Sequence, residues 1–436
     1  MFDRDLKRFA SKVAFVESDK TLSYEELEQQ IKLTVKQLPK EQQLIAIEMK
    51  QNIDAIVTYL AAFHAGHTIL MVDPTIDNNK KEHLYKLYKP NYIYRDNALN
   101  QQHNSNHNLY EELALLLPTS GSTGSTKYVR LTKENIYANA NSIVEYLPLN
   151  SNDITITSLP LYYSYGLSVL HTYLQVGATL ICSDEPITSK QFWELFETYK
   201  CTNFNGVPFH YEILSRLRIT RKELLSLRFF TQAGGKLNLK YVEEFAKYTD
   251  ETNKEFYVMY GQTEATARIS YLEPKKLLKK PTSIGKSIPN GSLSLESDEL
   301  VYRGKNVMLG YASTLEDLAL KDEQNGVLYT GDLAKVDDDG DFYIIGRAKR
   351  FVKIYGNRIN LDEMEQKCKT ECEDVVVIGD DSKIIIFYKE NKKQIEEFVN
   401  ASYRVYKRTI HLQKVDTFLV TSSGKINYQK MWELLI

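Results

Sequence analysis

The sequence predicts an α/β protein: a large multi-sheet N-terminal domain with packed helices, followed by a small α+β domain. Three observations predict it. Strand-like apolar runs alternate with helical patterns through most of the chain, and such alternation gives parallel sheets covered by helices. At 436 residues the chain exceeds what one compact core accommodates. Composition shifts after Gly346, where a basic stretch from Arg347 to Lys353 begins. The expected division is therefore 1–346 and 347–436.

The elements follow from local patterns. Ser23 to Leu38 has helical spacing, with Ser23 as N-cap and Glu26 as its capping-box partner. Leu44 to Met49 reads as a strand, Ile53 to His64 as a helix and Thr68 to Val72 as a short buried strand. Asn97 to Asn108 is polar and is expected to be a solvated loop. Leu113 to Leu117 is an apolar run, and a helix begins near Lys133. Ile154 to Leu159, Thr179 to Cys182 and Tyr257 to Met259 read as buried strands. Between them, Gln191 to Tyr199 and Tyr211 to Leu217 read as helices. The last segment predicts a helix from near Asn360, a hairpin of Val375–Ile378 with Ile384–Tyr388, and a helix over Lys393 to Val399.

Bulk chemistry narrows the function. Hydrophobic residues at 43% and charged residues at 26% are those of an ordinary globular chain. A net charge of −2, with no basic block rich in aromatics, gives no reason to expect nucleic acid as a partner. No apolar run is long enough to span a membrane. The first five residues are charged with no apolar stretch behind them, which reads as no signal peptide. Cys182, Cys201, Cys368 and Cys372 form no CxxC pair and are read as reduced thiols of a cytoplasmic protein.

The most informative stretch is Pro118-Thr119-Ser120-Gly121-Ser122-Thr123-Gly124-Ser125-Thr126-Lys127. Glycines let several backbone N–H groups converge, hydroxyls add donors, and Lys127 adds a point charge. Together these suit a polyphosphate. A flexible Ser/Thr/Gly loop has the same composition, but the ordered run into a lysine favours the phosphate reading. A Walker A loop fails, because Thr126 and Tyr128 flank the lysine where glycine and Ser/Thr are needed.

This loop resembles the signature loop of the adenylate-forming (AMP-binding) superfamily of acyl-CoA synthetases, adenylation domains and luciferases. Thr126 and Tyr128 depart from the family's proline and glycine. Further motifs follow in the family's order: Leu159–Gly166 beside the acyl pocket, Tyr260-Gly261-Gln262-Thr263-Glu264, and Tyr329-Thr330-Gly331-Asp332. Gly346–Lys349 with Lys353, Gly356, Arg358 and Glu363 resembles the hinge, and Thr421–Ile426 the closing lysine motif, with Leu419 in place of its proline. Ala233-Gly234-Gly235-Lys236 resembles the Gly-Gly segment beside adenine.

The resemblance implies roles. Lys425 is the catalytic lysine, carried on a mobile 347–436 lid, and Lys349 is the hinge. Thr119, Ser120, Gly121, Ser122, Thr123, Gly124 and Lys127 hold the phosphates of ATP. Glu264 holds Mg²⁺, Thr263 meets the α-phosphate and Tyr260 stacks on adenine, with Gly261, Gly234 and Gly235 letting backbone approach. Asp332 and Arg347 reach the ribose. The activity implied is ATP-dependent formation of an acyl-adenylate with loss of pyrophosphate, then transfer to a thiol, either CoA or the phosphopantetheine of an acyl carrier protein. A catalytically reduced ATP-binding protein of the same fold is the alternative, favoured only by the departures at Thr126, Tyr128 and Leu419.

Gly166 stands where amino-acid-activating members carry an aspartate, and a buried ammonium without a counter-charge is costly. The carboxylic acid is therefore expected not to be an α-amino acid. Tyr162, Tyr163, Tyr165, Gly166 and Val207 suggest an aromatic-lined pocket, although the tyrosines equally suit a core.

Overall fold

The computed structural model describes residues 2–435 apart from 4, 120–126, 348–349, 356, 373, 404–405, 407 and 421–425. Its contacts divide it into two compact units. The first holds most of the chain up to Ser292 together with Tyr302–Leu328; the second holds Leu293–Val301 and the chain from Tyr329 onward. Gly346 and Arg347, which bracket the division expected from composition, both lie in strand Phe342–Arg347 of the second unit.

The first unit is built on three sheets. The largest has seven strands in the order Gly310–Ala312, Tyr128–Thr132, Leu113–Pro118, Thr68–Val72, Leu44–Glu48, Tyr92–Arg95 and Ala98–Gln101. Its middle four are parallel, while the strands flanking them run antiparallel. Leu44–Glu48 and Thr68–Val72 are buried at every position, as continuous apolar runs in a doubly covered sheet should be. A second sheet orders Asn203–Gly206, Phe229–Gln232, Glu255–Tyr260, Ser270–Leu272 and Lys286–Ser287, the first three parallel. A third has four strands: Lys20–Ser23, Val13–Glu17, Thr179–Ile181 and Ile154–Ile156. Helix Tyr24–Gln37 starts at the expected capping box: Glu26 N–H donates to Ser23 Oγ at 3.2 Å and Ser23 N–H donates to the Glu26 carboxylate at 2.8 Å.

One local expectation is corrected. Within the polar Asn97–Asn108 stretch, Ala98–Gln101 forms an edge strand against Tyr92–Arg95. Asp96 and Asn97 both adopt positive φ, 50° and 59°, which makes the tight hairpin turn that Asx residues tolerate. The strand is polar because it packs only on its inner edge, so no apolar alternation marks it.

In the second unit, Val375–Gly379, Ile384–Tyr388 and Ile410–Lys414 form a three-stranded sheet covered by helices Leu361–Glu371 and Lys392–Ser402. Buried Glu365 ties this unit together. It pairs with Lys369 at 2.7 Å and Arg350 at 3.3 Å, and accepts from the Tyr428 phenol at 3.1 Å and Val377 N–H at 3.0 Å.

Arg130 fixes the edge of the seven-stranded sheet. It is fully buried, donates to the carbonyls of Tyr311 at 3.1 Å and Leu320, and pairs with Glu323. Removing it leaves buried carbonyls without donors. Arg130→Met is expected to cost about 3 kcal/mol and to lower the thermal midpoint by several degrees; an unchanged midpoint would mean that the clamp contributes nothing.

Candidate active site

Two of the motifs and the pocket residue Val207 emerge at the carboxyl ends of three neighbouring parallel strands, where ligands of open α/β sheets gather. Asn203–Gly206 runs into Val207 and helix Pro208–Arg216. Phe229–Gln232 runs into Ala233, Gly234 and Gly235. Glu255–Tyr260 runs into Gly261 and the short turn Thr263–Ala265. Gly234 has φ +86°, a left-handed value that glycine takes without strain, and Gln232 donates to the Gly235 carbonyl at 2.9 Å. Gly261 has no room for a side chain, since a Cβ there would lie 1.9 Å from the Ala267 carbonyl oxygen. Directly beyond, Thr266 and Ala267 hold φ of 57° and 113°. Such conformations cost of order 1–3 kcal/mol each and gather at functional sites.

The Leu159–Gly166 segment reaches the same place. Ser164, first residue of helix Ser164–Val176, lies 3.2 Å from Thr263 through the two hydroxyls. Gly166 is packed against backbone: a Cβ would sit 2.2 Å from the Pro160 carbonyl oxygen. Tyr163, Tyr165 and Val207 share one buried cluster with Ala233 and Met259, whereas Tyr162 belongs to the larger core beneath the seven-stranded sheet. Of the three tyrosines named for the pocket, the fold thus brings together two. The Tyr165 hydroxyl is occupied by Thr231, 2.7 Å from its Oγ1 and 3.0 Å from its carbonyl, so Tyr165 presents its ring. Burial pushes the Tyr165 phenol up to about 12, against the pull of Arg268, whose guanidinium lies 4.0 Å from the ring centre.

Lys127 and Glu264 are joined by a residue the motif reading passed over. Tyr311, in strand Gly310–Ala312, donates to Glu264 Oε1 at 2.9 Å, and Lys127 Nζ sits 3.4 Å over its ring centre. Burial first, then the neighbouring Glu264 charge, raise the Tyr311 pKa well above its usual value, so the phenol remains a donor. Tyr128, one of the family departures, opens strand Tyr128–Thr132 and packs edge-on against Tyr88, 5.6 Å between ring centres. The substitution is thus absorbed in the core.

In the second unit, Asp332 and Arg347 face each other across paired strands, 3.4 Å between Oδ1 and Nε, with Asp332 buried. Gly331 before it has φ +71° and donates to Glu299 at 2.9 Å. Asp337, Asp339 and Asp341 also cluster, but Asp337 Oδ1 accepts from the Asp339 and Asp341 N–H groups at 3.1 and 3.0 Å, which accounts for the cluster as a turn. Ser120, Gly121, Ser122, Thr123, Gly124, Lys349 and Lys425 lie outside the described residues. Val420, just before the closing lysine motif, and Ile426, its last residue, form a bridge. Surface hollows of about 290 and 480 Å³, beside Gln30 and Leu225, are lined by none of the predicted site residues.

The AMP-binding enzyme family matches residues 86–312, more than half of the chain. The chain belongs to that family. AMP-binding enzymes of this kind are acid–thiol ligases: ATP activates a carboxylic acid as its acyl-adenylate, pyrophosphate leaves, and a thiol takes the acyl group. The 2-succinylbenzoate–CoA ligase of Staphylococcus epidermidis is 26% identical over 97% of this chain and 94% of its own length. That of Staphylococcus aureus is 28% identical over 76% and 68%. Among solved structures, the o-succinylbenzoate CoA synthetase of Bacillus subtilis with its acyl-adenylate intermediate superposes with a TM-score of 0.81 at 19% identity, covering 99% and 97% of the two chains. ATP-bound MatB of Rhodopseudomonas palustris gives 0.79 at 19%, covering 99% and 98%. At these identities the structures establish the shared fold. Among the described residues no helix is long and apolar enough to cross a membrane.

Because a hydrogen bond to a charged acceptor contributes about 1.5–3 kcal/mol, Tyr311→Phe in this AMP-binding enzyme is expected to raise the KM for ATP roughly tenfold with a smaller change in kcat. Steady-state kinetics against ATP check this, and an unchanged KM would mean that the phenol does not position Glu264.

Proposed function

We propose that this chain activates 2-succinylbenzoate, or an aromatic dicarboxylic acid like it, and transfers the acyl group to CoA. The observation that carries the proposal is the likeness to 2-succinylbenzoate–CoA ligases along nearly the whole chain. The aromatic cluster of Tyr163, Tyr165 and Val207 beside Thr263 supports an aromatic acid. The close packing of Gly166, which leaves no room for a carboxylate, supports an acid without an α-ammonium. An acyl carrier protein remains the alternative acceptor, and a cytoplasmic location is part of the same reading.

In this reading a substrate carboxylate oxygen bonds to the α-phosphorus while the bond from that phosphorus to the bridging oxygen breaks and pyrophosphate leaves. Little covalent help is needed; positioning and charge stabilisation dominate. Lys127 and the residues from Thr119 to Gly124 hold the phosphates. Thr263, set by Ser164, meets the α-phosphate. Tyr260 and the Gly234–Gly235 turn border adenine, with Gly261 admitting the close backbone turn. Asp332 and Arg347 take the ribose hydroxyls. Lys425 enters on the 347–436 lid, turning about Lys349, to neutralise charge at the reacting phosphorus. In the second step the thiolate attacks the acyl carbonyl and AMP leaves.

Glu264 fits a magnesium ion on its donor chemistry: one carboxylate, fixed by Tyr311, with phosphate and water oxygens completing the shell. Bound there, Mg²⁺ would neutralise phosphate charge.

The test is pyrophosphate release across a panel of carboxylic acids, followed by thioester formation with CoA and with a phosphopantetheinylated carrier. Release with 2-succinylbenzoate and thioester with CoA are expected; ADP as product, or no acid activated, overturns the reading. Lys425→Ala is expected to abolish adenylate formation yet to leave thioester formation from supplied acyl-adenylate largely intact. Equal loss in both half-reactions would count against a lysine that acts in one of them.

A further inference from the structure

Arg268 is a buried cation that the assigned roles leave unused. It lies four residues beyond Glu264 and is 3% exposed. Among the described residues no carboxylate pairs with it, and its Nε has no hydrogen-bond partner. Its side chain meets neutral acceptors alone among them: Nη1 donates to the Ala267 carbonyl at a long 3.3 Å, and the guanidinium faces the buried Tyr146 phenol, whose own proton goes to Met259. A guanidinium carries five donors and cannot shed its proton, so a buried one normally has a carboxylate opposite it.

The fold holds it there firmly. Its carbonyl accepts from Asn139 at 3.2 Å and Asn306 at 2.9 Å. Its Cα packs 2.9 Å from where a Gly261 Cβ would stand, and the positive φ values of Thr266 and Ala267 lead directly into it. Its guanidinium lies against the ring of Tyr165, next in sequence to the serine that touches Thr263. A purely structural arginine would gain nothing from strained backbone on one side and an unpaired Nε on the other.

We propose that Arg268 receives the second carboxylate of a dicarboxylic acid substrate, the one that is not activated, and so sets the enzyme's preference for diacids. This rests on the reading that the acid is a dicarboxylate. Bound, the acid's distal carboxylate supplies the missing counter-charge, with the Tyr165 ring packed beside it. A monocarboxylate of the same shape leaves the cation buried and alone, which favours the diacid.

The test compares wild type, Arg268→Met and Arg268→Lys on 2-succinylbenzoate and on its two monocarboxylate analogues, each missing one carboxylate. One analogue retains the carboxylate that is activated. Arg268→Met is expected to lower kcat/KM for the diacid about 100-fold, mainly through KM, and to leave that analogue within about threefold. Arg268→Lys is expected to recover part of the loss. Thermal melting gives a readout apart from turnover. Without ligand, Arg268→Met should melt no lower than wild type, because a buried charge has been removed; the upward shift given by the diacid should vanish. Equal losses on diacid and analogue, no loss at all, or a markedly lower melting point overturn the proposal. If wild type activates neither 2-succinylbenzoate nor its analogues, the substrate reading fails separately. The comparison then moves to the acid the panel identifies and its truncated analogue. The same arginine dependence on a second carboxylate sustains the proposal, and a preferred acid with one carboxylate overturns it.

Discussion

Tyr311 touches a cation with its face and an anion with its hydroxyl. A ring face is electronegative and attracts Lys127, while the phenol proton attracts Glu264. A lysine and a glutamate brought together directly would neutralise each other and present little charge to a ligand. With an aromatic ring against the lysine and its hydroxyl on the glutamate, Tyr311 stands between the two. The seven-stranded sheet supplies Lys127 and Tyr311, and the turn after the five-stranded sheet supplies Glu264, so this contact also fixes the two sheets' relation within the first unit. Arg130 beneath it holds the strand on which Tyr311 sits, which is why this buried arginine matters to the site.

The parts legible in the sequence were those whose chemistry is local. Ser23 with Glu26 three later, and Glu264 in the turn after its strand, can each be read within ten residues. Periodicity found the buried strands, because a doubly covered sheet writes its burial as unbroken apolar runs. Tyr311 escaped because its role depends on strand pairing across a large sequence separation; the Gly310-Tyr311 pair carries no signal of its own. Ala98–Gln101 escaped because a polar edge strand has no alternation, although Asp96-Asn97 is the turn signal that could have found it. Tyr162, Tyr163 and Tyr165 looked equivalent as letters, and only the turn into helix Ser164–Val176 separates the first from the other two. Arg268 escaped for a different reason: arginine is ordinarily exposed, and nothing in the letters around it announces burial.

The electrostatics of the first unit's site are thus arranged as charges held still against aromatic side chains. Lys127 rests on an aromatic face, Glu264 on a phenol, and Arg268 on a second aromatic face with a donor unused. Preorganised charges of this kind act on a ligand without reorganising as the reaction proceeds. The strain at Thr266 and Ala267 lies between two of them, so the short chain from Glu264 to Arg268 is where stability has been given up for placement.

Gly166 bears on how such a scaffold could be retooled. Its position in the third residue of a helix, with a carbonyl oxygen 2.2 Å from any added Cβ, means that an aspartate cannot simply be written there. Exchanging one substrate class for another at this point would require moving the Leu159–Pro160 backbone, and with it Ser164 and its touch on Thr263. The Gly166 end and the Thr263 end of the site are therefore not independently evolvable: a path toward an aspartate at 166 would first have to rebuild the turn that sets the Thr263 hydroxyl.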